Sequence, residues 1–511
     1  MNSLLYFITQ QIPAKGHRIF QTSRAPYILK GFDTTEKQYK EAIARIKDYI
    51  RAGDTYQVNY TIRGRFSFEG DPALLYEALR MRQPVPYGGF VRACGMSVLS
   101  LSPELFFRIR DGFIESRPMK GTVKRGRWLE EDAAKARWLF EDEKNRAENV
   151  MIVDLIRNDL GRICEIGTVA VPKLFEIERY ETLFQMTSLV RGRLKEGKWC
   201  AKDVFKALFP CGSVTGAPKI RTMEIIAELE NSPRGIYCGA IGFMHRSQSV
   251  FNVAIRTVTL SGSKGEIGIG SGVTIDSIDE VEYGETTLKM DFLTKPLEDF
   301  TLIETMLVDE NGTIPYLSLH MDRLKRSAQY FSFFMDEREV LDTIKRKIAD
   351  SDYKRPFILR LSLKRGGEIE VSERAFSRIA EPVKVTLSNV RIDPDDKYLY
   401  HKTSKRGIFD RELKKARARG FFECILLNIK GEVTQGSFTN VFLERNGLLY
   451  TPPVEAGLLP GVLRSHLLSS GAAKEIPLGP KDFEEGNLYV GNSVRGLLRA
   501  SIDLTSLKDR S

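Results

Sequence analysis

A change of pattern at Lys295-Pro296-Leu297-Glu298-Asp299 divides this 511-residue chain. Before it, residues 280–293 carry a helical pattern. After it, residues 300–308 read as a strand, followed by the turn Asp309-Glu310-Asn311-Gly312 and a second short apolar run. A hairpin of that kind suits the start of a new domain. The chain is also too long for one typical core. The expected division is therefore 1–295 and 296–511. In the first part, helical patterns over 36–52 and 133–158 mix with alternating strands such as 251–260. In the second, a helix over 320–331 precedes strands over 356–363 and 423–428. Helices and strands do not alternate strictly, so both parts are expected to be α+β rather than one parallel sheet.

Several function classes are excluded at this level. The net charge of +10 is dispersed among acids with no long basic tract, which argues against nucleic acid and fits small anionic ligands. No apolar run is long enough to cross a membrane. The start Met1-Asn2-Ser3-Leu4-Leu5-Tyr6 lacks a basic region followed by an apolar one, so export is not expected. Six cysteines (94, 164, 200, 211, 238 and 424) show neither close pairing nor zinc spacing, and read as reduced thiols in a cytoplasmic protein. The five histidines, at 17, 245, 320, 401 and 466, form no metal motif.

Two lysines sit in unusual settings. Lys120 lies in Arg117-Pro118-Met119-Lys120-Gly121-Thr122, soon after Glu104 in Ser102-Pro103-Glu104. Lys402 lies in His401-Lys402-Thr403-Ser404-Lys405 ahead of a helix over 410–419. Glu282, Glu285 and Lys289 are spaced to share one helix face. A surface salt-bridge ladder and a magnesium site of hard oxygen ligands, with Glu148 as the opposing carboxylate, both fit that spacing. The loop Gly212–Lys219 opens a helix, and Gly268-Ile269-Gly270-Ser271-Gly272 lets backbone approach an anion; tight turns explain either as well.

These runs, with Gly53–Asn59, Ala147-Glu148-Asn149, Val153–Asp159, Pro233–Gly239 and Asp276–Thr286, resemble in order the chorismate-utilising enzymes. The resemblance implies a two-sheet sandwich with helices. Lys120 resembles the branch that makes 4-amino-4-deoxychorismate, whereas anthranilate-forming relatives carry a small residue there. Isochorismate- and salicylate-forming relatives carry a lysine in place of Gln57. By the same resemblance, Lys120 attacks C2 of chorismate and Glu104 protonates the departing C4 hydroxyl. Glu148, Glu282 and Glu285 hold Mg2+, while Gly216, Ala217, Arg256, Gly270, Gly272 and Lys289 bind substrate. No cysteine lies in a Gly-x-Cys-x-Gly setting, so ammonia is expected from a separate glutamine amidotransferase or from solution. Two departures stand out. Gln185 replaces a histidine common in relatives, and the chain starts close to the first matching helix.

The second part resembles the pyridoxal-phosphate enzymes of fold type IV, a two-subdomain α+β fold. The matching runs are Leu319–Leu324, Gly431–Phe442, Thr451-Pro452-Pro453 and Gly457–Arg464. The resemblance implies that Lys402 bonds the pyridoxal 5'-phosphate and moves the proton. Arg323, Thr439 and the amides of Val462 and Leu463 would hold the cofactor phosphate. Gln435 stands where a glutamate usually meets the ring nitrogen. It also implies a homodimer through this domain. Together the halves imply a two-step route from chorismate to 4-aminobenzoate. The alternatives are an anthranilate-forming enzyme joined to an aminotransferase-like domain, and a non-catalytic chorismate-binding regulator.

Overall fold

A computed structural model of the chain describes residues 27–197, 200–245, 247–294 and 299–503. Met1–Tyr6, His17 and the boundary run 295–298 lie outside the described residues. Contacts divide the chain into two units. The first is Met1–Lys124 with Ala136–Glu298, and the second is Arg125–Lys135 with Asp299–Ser511.

The first unit holds two seven-stranded sheets, with helices packed on both. In one sheet the order is Tyr27–Phe32, Gln57–Phe68, Lys264–Val273, Thr257–Ser261, Met96–Ser102, Tyr87–Ala93. In the other it is Ala240–Met244, Gln248–Val253, Leu105–Arg110, Phe113–Arg117, Leu183–Arg193, Met119–Lys124. The two-residue strand Gly216–Ala217 joins the first, and Ala170–Arg179 the second. Helix Glu36–Arg51 shows how local sequence builds this unit. Thr35 and Gln38 form a reciprocal capping box, worth about 1 kcal/mol. Tyr39, Ile43 and Ile46 fall on one stripe and are buried against the first sheet.

Two expected elements are broken, and both breaks serve the site. The run over 133–158 is two helices, Leu129–Glu141 and Glu143–Gly161, because Asp142 leaves the helix to cap the second through the Asn145 amide. The run over 251–260 is two strands, Gln248–Val253 and Thr257–Ser261, which belong to different sheets. The chain crosses at Ala254-Ile255-Arg256, with Arg256 at φ 47°. It makes the reverse crossing at Pro103-Glu104, between Met96–Ser102 and Leu105–Arg110. Glu104 and Arg256 thus sit on the seam between the sheets.

In the second unit, an antiparallel sheet of Leu302–Val308, Phe357–Leu363 and Ile369–Ala375 carries helices Leu317–Phe331 and Glu337–Ala349. An eight-stranded mixed sheet follows. The extra pairing of Gln435 with Asn440 closes its six strands from Val433–Gly436 to Asn440–Arg445 into a ring. The expected hairpin at 300–315 does not form. After the turn, Pro315 removes a backbone donor and the chain enters helix Leu317–Phe331 directly. Leu302–Val308 pairs instead with the distant Phe357–Leu363.

Candidate active sites

The seam of the first unit opens into a cavity of about 630 Å3. Glu104, Lys120, Glu148, Arg256, Gly270, Gly272, Glu282, Glu285 and Lys289 all line it. Of the expected residues, Gly216 and Ala217 do not. Their backbone is committed to strand Gln57–Phe68, where Thr55 and Tyr56 both donate to the Ala217 carbonyl, at 2.9 and 2.8 Å. Ser213 and Val214, earlier in the same loop, reach the wall instead.

The Gly268–Gly272 segment is strand rather than loop. It is the far half of Lys264–Val273 and pairs residue for residue with Gln57–Phe68. Thr257–Ser261 covers only Lys264–Ile267 on the other edge, so the glycine half turns that edge to the cavity. A Cβ on Gly272 would lie 2.6 Å from the Lys120 amine and would also overlap the Gln57 amide. Glycine there makes room for the lysine rather than for a turn.

Burial pushes the Glu104 carboxyl up to about 7, against pulls from the Ser213 hydroxyl, Lys120 and the Met119 amide. Ser213 donates to its Oε1 at 2.6 Å. Burial also holds the Lys120 amine below the usual lysine range. The charge of Lys289 adds to this, while Glu148, Glu104 and Glu285 oppose it. The protonated acid and the neutral amine are therefore favoured side by side. Gln185 ties down the strand after Lys120. Its amide donates to the Gly121 carbonyl at 2.9 Å and accepts from the Thr122 hydroxyl at 3.0 Å. Gln57 is buried with its Oε1 lacking a protein partner.

The carboxylates do not form a closed metal centre; among the described residues no group of three acidic, histidine or cysteine side chains does. Glu282 accepts from Ser277 at 2.8 Å, and Glu285 pairs with Lys289 at 3.0 Å. Lys289 in turn donates to the Gly270 carbonyl at 2.8 Å. A few oxygen ligands beside an open cavity suit magnesium, which keeps waters or substrate oxygens on most of its positions.

The second unit has its own cavity, of about 420 Å3, lined by Lys402, Arg323, Gln435, Thr439 and Val462. Leu463 lies outside its wall. The Lys402 carbonyl accepts from Ile303 N at 2.8 Å, which anchors the lysine to the edge of the three-stranded sheet. Burial, then the charge of Arg323, pushes its amine down to about 7 against the pull of Glu304. Arg323 grips Glu304 at 2.9 and 2.6 Å, and His320 adds a bond at 2.7 Å. Burial opposes ionisation of Glu304, but Arg323 and His320 outweigh it and hold the carboxyl at about 2.

Other expected roles are adjusted. Thr439 donates its hydroxyl proton to the buried Glu423, at 3.0 Å, so that hydroxyl is left only as an acceptor. Gln435 accepts from Leu459 N at 3.1 Å, which leaves its NH2 as the group to offer the cavity. Helix Val462–Ser469 has no side-chain cap, so its first amides keep their capacity for an anion. A near-neutral lysine, an uncapped helix end, an arginine and one neutral N–H donor fit pyridoxal phosphate. Sequence reasoning missed the turn at Asn492, whose Oδ1 caps the Val494 and Arg495 amides at 3.0 and 2.9 Å, and the cationic wall of Arg360, Arg374 and Arg406.

Comparison with known proteins agrees with both halves. Residues 10–295 match the chorismate binding enzymes, and residues 301–502 match the class IV amino-transferases. Over 265 residues the chain is 42% identical to aminodeoxychorismate synthase component 1 of Bacillus subtilis, covering 52% of this chain and 56% of that one. It is equally identical, over 265 residues, to anthranilate synthase component 1 of Aquifex aeolicus, covering 52% and 53%. An aminodeoxychorismate synthase of Streptomyces pristinaespiralis is 44% identical over 254 residues, 49% of this chain and 35% of that one. The chain spans about half the length of the first two. The fold is thus a chorismate-binding fold followed by a class IV aminotransferase fold.

Proposed function

The chain belongs to the chorismate binding enzyme family over residues 10–295, and from that premise we propose that it makes 4-aminobenzoate in two steps. Chorismate and ammonia give 4-amino-4-deoxychorismate and water in the first cavity. Loss of pyruvate from that product gives the aromatic amine in the second. The observation that carries this reading is the pairing of Lys120 and Glu104 on one wall, each favoured in the form the first step consumes.

The neutral Lys120 amine attacks C2 of chorismate while Glu104 gives its proton to the hydroxyl leaving C4. Ammonia adds at C4, the lysine departs from C2, and the surplus ammonia proton returns to Glu104. Arg256 and Lys289 supply positive charge for the substrate carboxylates. Glu148 and Glu285, with Glu282 nearby, would hold Mg2+, whose charge would neutralise a carboxylate of the substrate. Equal identity to an anthranilate synthase does not separate the two products; the lysine at 120 supports the first. Ammonia would come from a separate amidotransferase or from solution. Six unbridged cysteines fit a reducing cytoplasmic setting, and no helix among the described residues is long and apolar enough to cross a membrane.

In the second cavity, bound pyridoxal phosphate supplies the electron sink for pyruvate loss. Lys402 would provide a near-neutral amine to hold it and to move the proton. Arg323 and the first amides of Val462–Ser469 would hold its phosphate. Gln435 presents an N–H, which suits a ring nitrogen that stays unprotonated. Incubating the protein with chorismate, ammonium, magnesium and pyridoxal phosphate is expected to yield 4-aminobenzoate. Anthranilate as the aromatic product would replace this reading.

Two further outcomes follow from the first cavity. At fixed free ammonia, the synthase rate is expected to fall as pH rises through about 7, because Glu104 loses the proton it must give. It also falls on the acid side as Lys120 takes up a proton. Ser213→Ala removes a donor that favours the carboxylate, so the alkaline limb should move to higher pH. A rate that climbs steadily from about pH 6 to about pH 9 would remove Glu104 as the acid. For the metal, Glu285→Gln is expected to raise the half-saturating magnesium concentration on the order of tenfold, and it frees Lys289 to repel the ion. Saturation at an unchanged concentration would show that Glu285 is not a ligand.

A further inference from the structure

The segment Arg125–Lys135 follows closely on Lys120 and lies within the stretch that matches the chorismate binding enzymes, yet its contacts assign it to the second unit. There it is built in rather than laid on. Arg125 and Asp132, both nearly fully buried, are joined by two bonds of 2.6 Å. The Arg125 guanidinium lies 4.6 Å over the Tyr330 ring and donates to the Tyr330 carbonyl at 3.2 Å. The Tyr330 hydroxyl donates to the Gly126 carbonyl at 2.5 Å. A Cβ at Gly126 would come within 2.6 Å of the Asp132 Cα, so the loop tolerates only glycine.

What the segment grips is the run just before Lys402. Trp128 packs on Tyr400 with ring centroids 4.8 Å apart, in a cluster with Leu399 and Phe409. Arg127 donates to the Tyr400 hydroxyl at 3.1 Å and to the Pro394 carbonyl at 3.2 Å. The Arg127 carbonyl accepts from His401 Nε2 at 3.1 Å, and His401 Nδ1 meets the Ser327 hydroxyl at 3.0 Å. Both ring nitrogens are thus engaged, with the proton on Nε2. Burial keeps that ring neutral, its pKa pushed down to about 3. Leu399, His401 and Lys402 all line the cavity. Tyr400 and His401 lead directly into Lys402, whose carbonyl Ile303 N holds from the following side.

We infer that Arg127 and Trp128, on a segment carried by the chorismate-binding half of the sequence, are positioning residues for the Lys402 site, fixing Tyr400 and His401 and through them the reactive amine. The inference rests on the lyase reading above and deepens it. A misplacement of about 1 Å at a reacting group costs roughly a hundredfold in rate, so the loss of one such prop has a measurable signature.

The test uses the full chain with Trp128→Ala, Trp128→Phe and Arg127→Met, each loaded with pyridoxal phosphate. Trp128→Ala is expected to lower lyase kcat on supplied 4-amino-4-deoxychorismate roughly tenfold to a hundredfold per bound cofactor, with KM nearly unchanged. The pH titration of the near-visible band should shift, and Trp128→Phe should restore both. Arg127→Met should give a smaller change of the same kind. Amides 400–402 should exchange faster with solvent in cofactor-free Trp128→Ala, and synthase activity should persist. Variants that lose thermal stability but keep the parent's band titration and kcat per bound cofactor would overturn the inference, because the segment would then be a structural clip only. A parent protein with no near-visible band would overturn the lyase reading itself.

Discussion

Lys120→Ala is expected to abolish formation of 4-amino-4-deoxychorismate, by on the order of a thousandfold or more. Among the described residues, Lys144 and Lys289 are the other lysines that line this cavity. Lys289, the other lysine on that wall close to the acids, is spent on Glu285 and the Gly270 carbonyl. The variant should stay folded, since burial already disfavours the lysine's charged form and alanine leaves no unpaired buried charge. Lyase activity on supplied 4-amino-4-deoxychorismate should survive. The measurement is product formation from chorismate and ammonium, followed by chromatography. Undiminished turnover would sink the nucleophile assignment.

Lys402→Ala should show the reverse pattern. The protein loaded with pyridoxal phosphate should lose its near-visible band and its lyase activity, while the synthase step continues and 4-amino-4-deoxychorismate accumulates. Adding a separate lyase should then restore 4-aminobenzoate. The control is Lys405→Ala. Lys405 also lines the cavity, with its amine 4.8 Å from the Tyr398 ring. The Lys402 amine, in contrast, lies in the field of Arg323 and Glu304 and is pushed down to about 7. A band that survives Lys402→Ala and disappears with Lys405→Ala would transfer the role to Lys405.

Local features of the fold were legible in the sequence, and non-local ones were not. Helix Glu36–Arg51 carries its own cap and stripe, and strand Glu423–Asn428 is an unbroken apolar run but for its ends. The site residues Glu104, Lys120 and Lys402 stood out through the family runs around them. The breaks at Asp142 and at Ala254–Arg256 depend on tertiary demands, a cap in one case and a change of sheet in the other, which periodicity does not register. Gly268–Gly272 read as a loop because glycines dominate it. The reason for the glycines, the approach of Lys120 and Gln57 from another strand, is visible only in three dimensions. The same holds for the Ser213 bond to Glu104 across more than a hundred residues, and for the allegiance of Trp128 to Tyr400.

The paired crossings at Pro103-Glu104 and Ala254–Arg256 also constrain traffic through the first cavity. Parting the two sheets would strain covalent chain at both points and displace the acid and the arginine together. A clam-shell opening of the sandwich would therefore pull apart the wall that Glu104 and Arg256 share. Part of the cavity's rim is supplied by helices Glu143–Gly161 and Asp279–Leu288, which bear Glu148, Glu282 and Glu285. The carboxylates on that rim are thus carried by elements separate from the seam that holds Glu104 and Arg256.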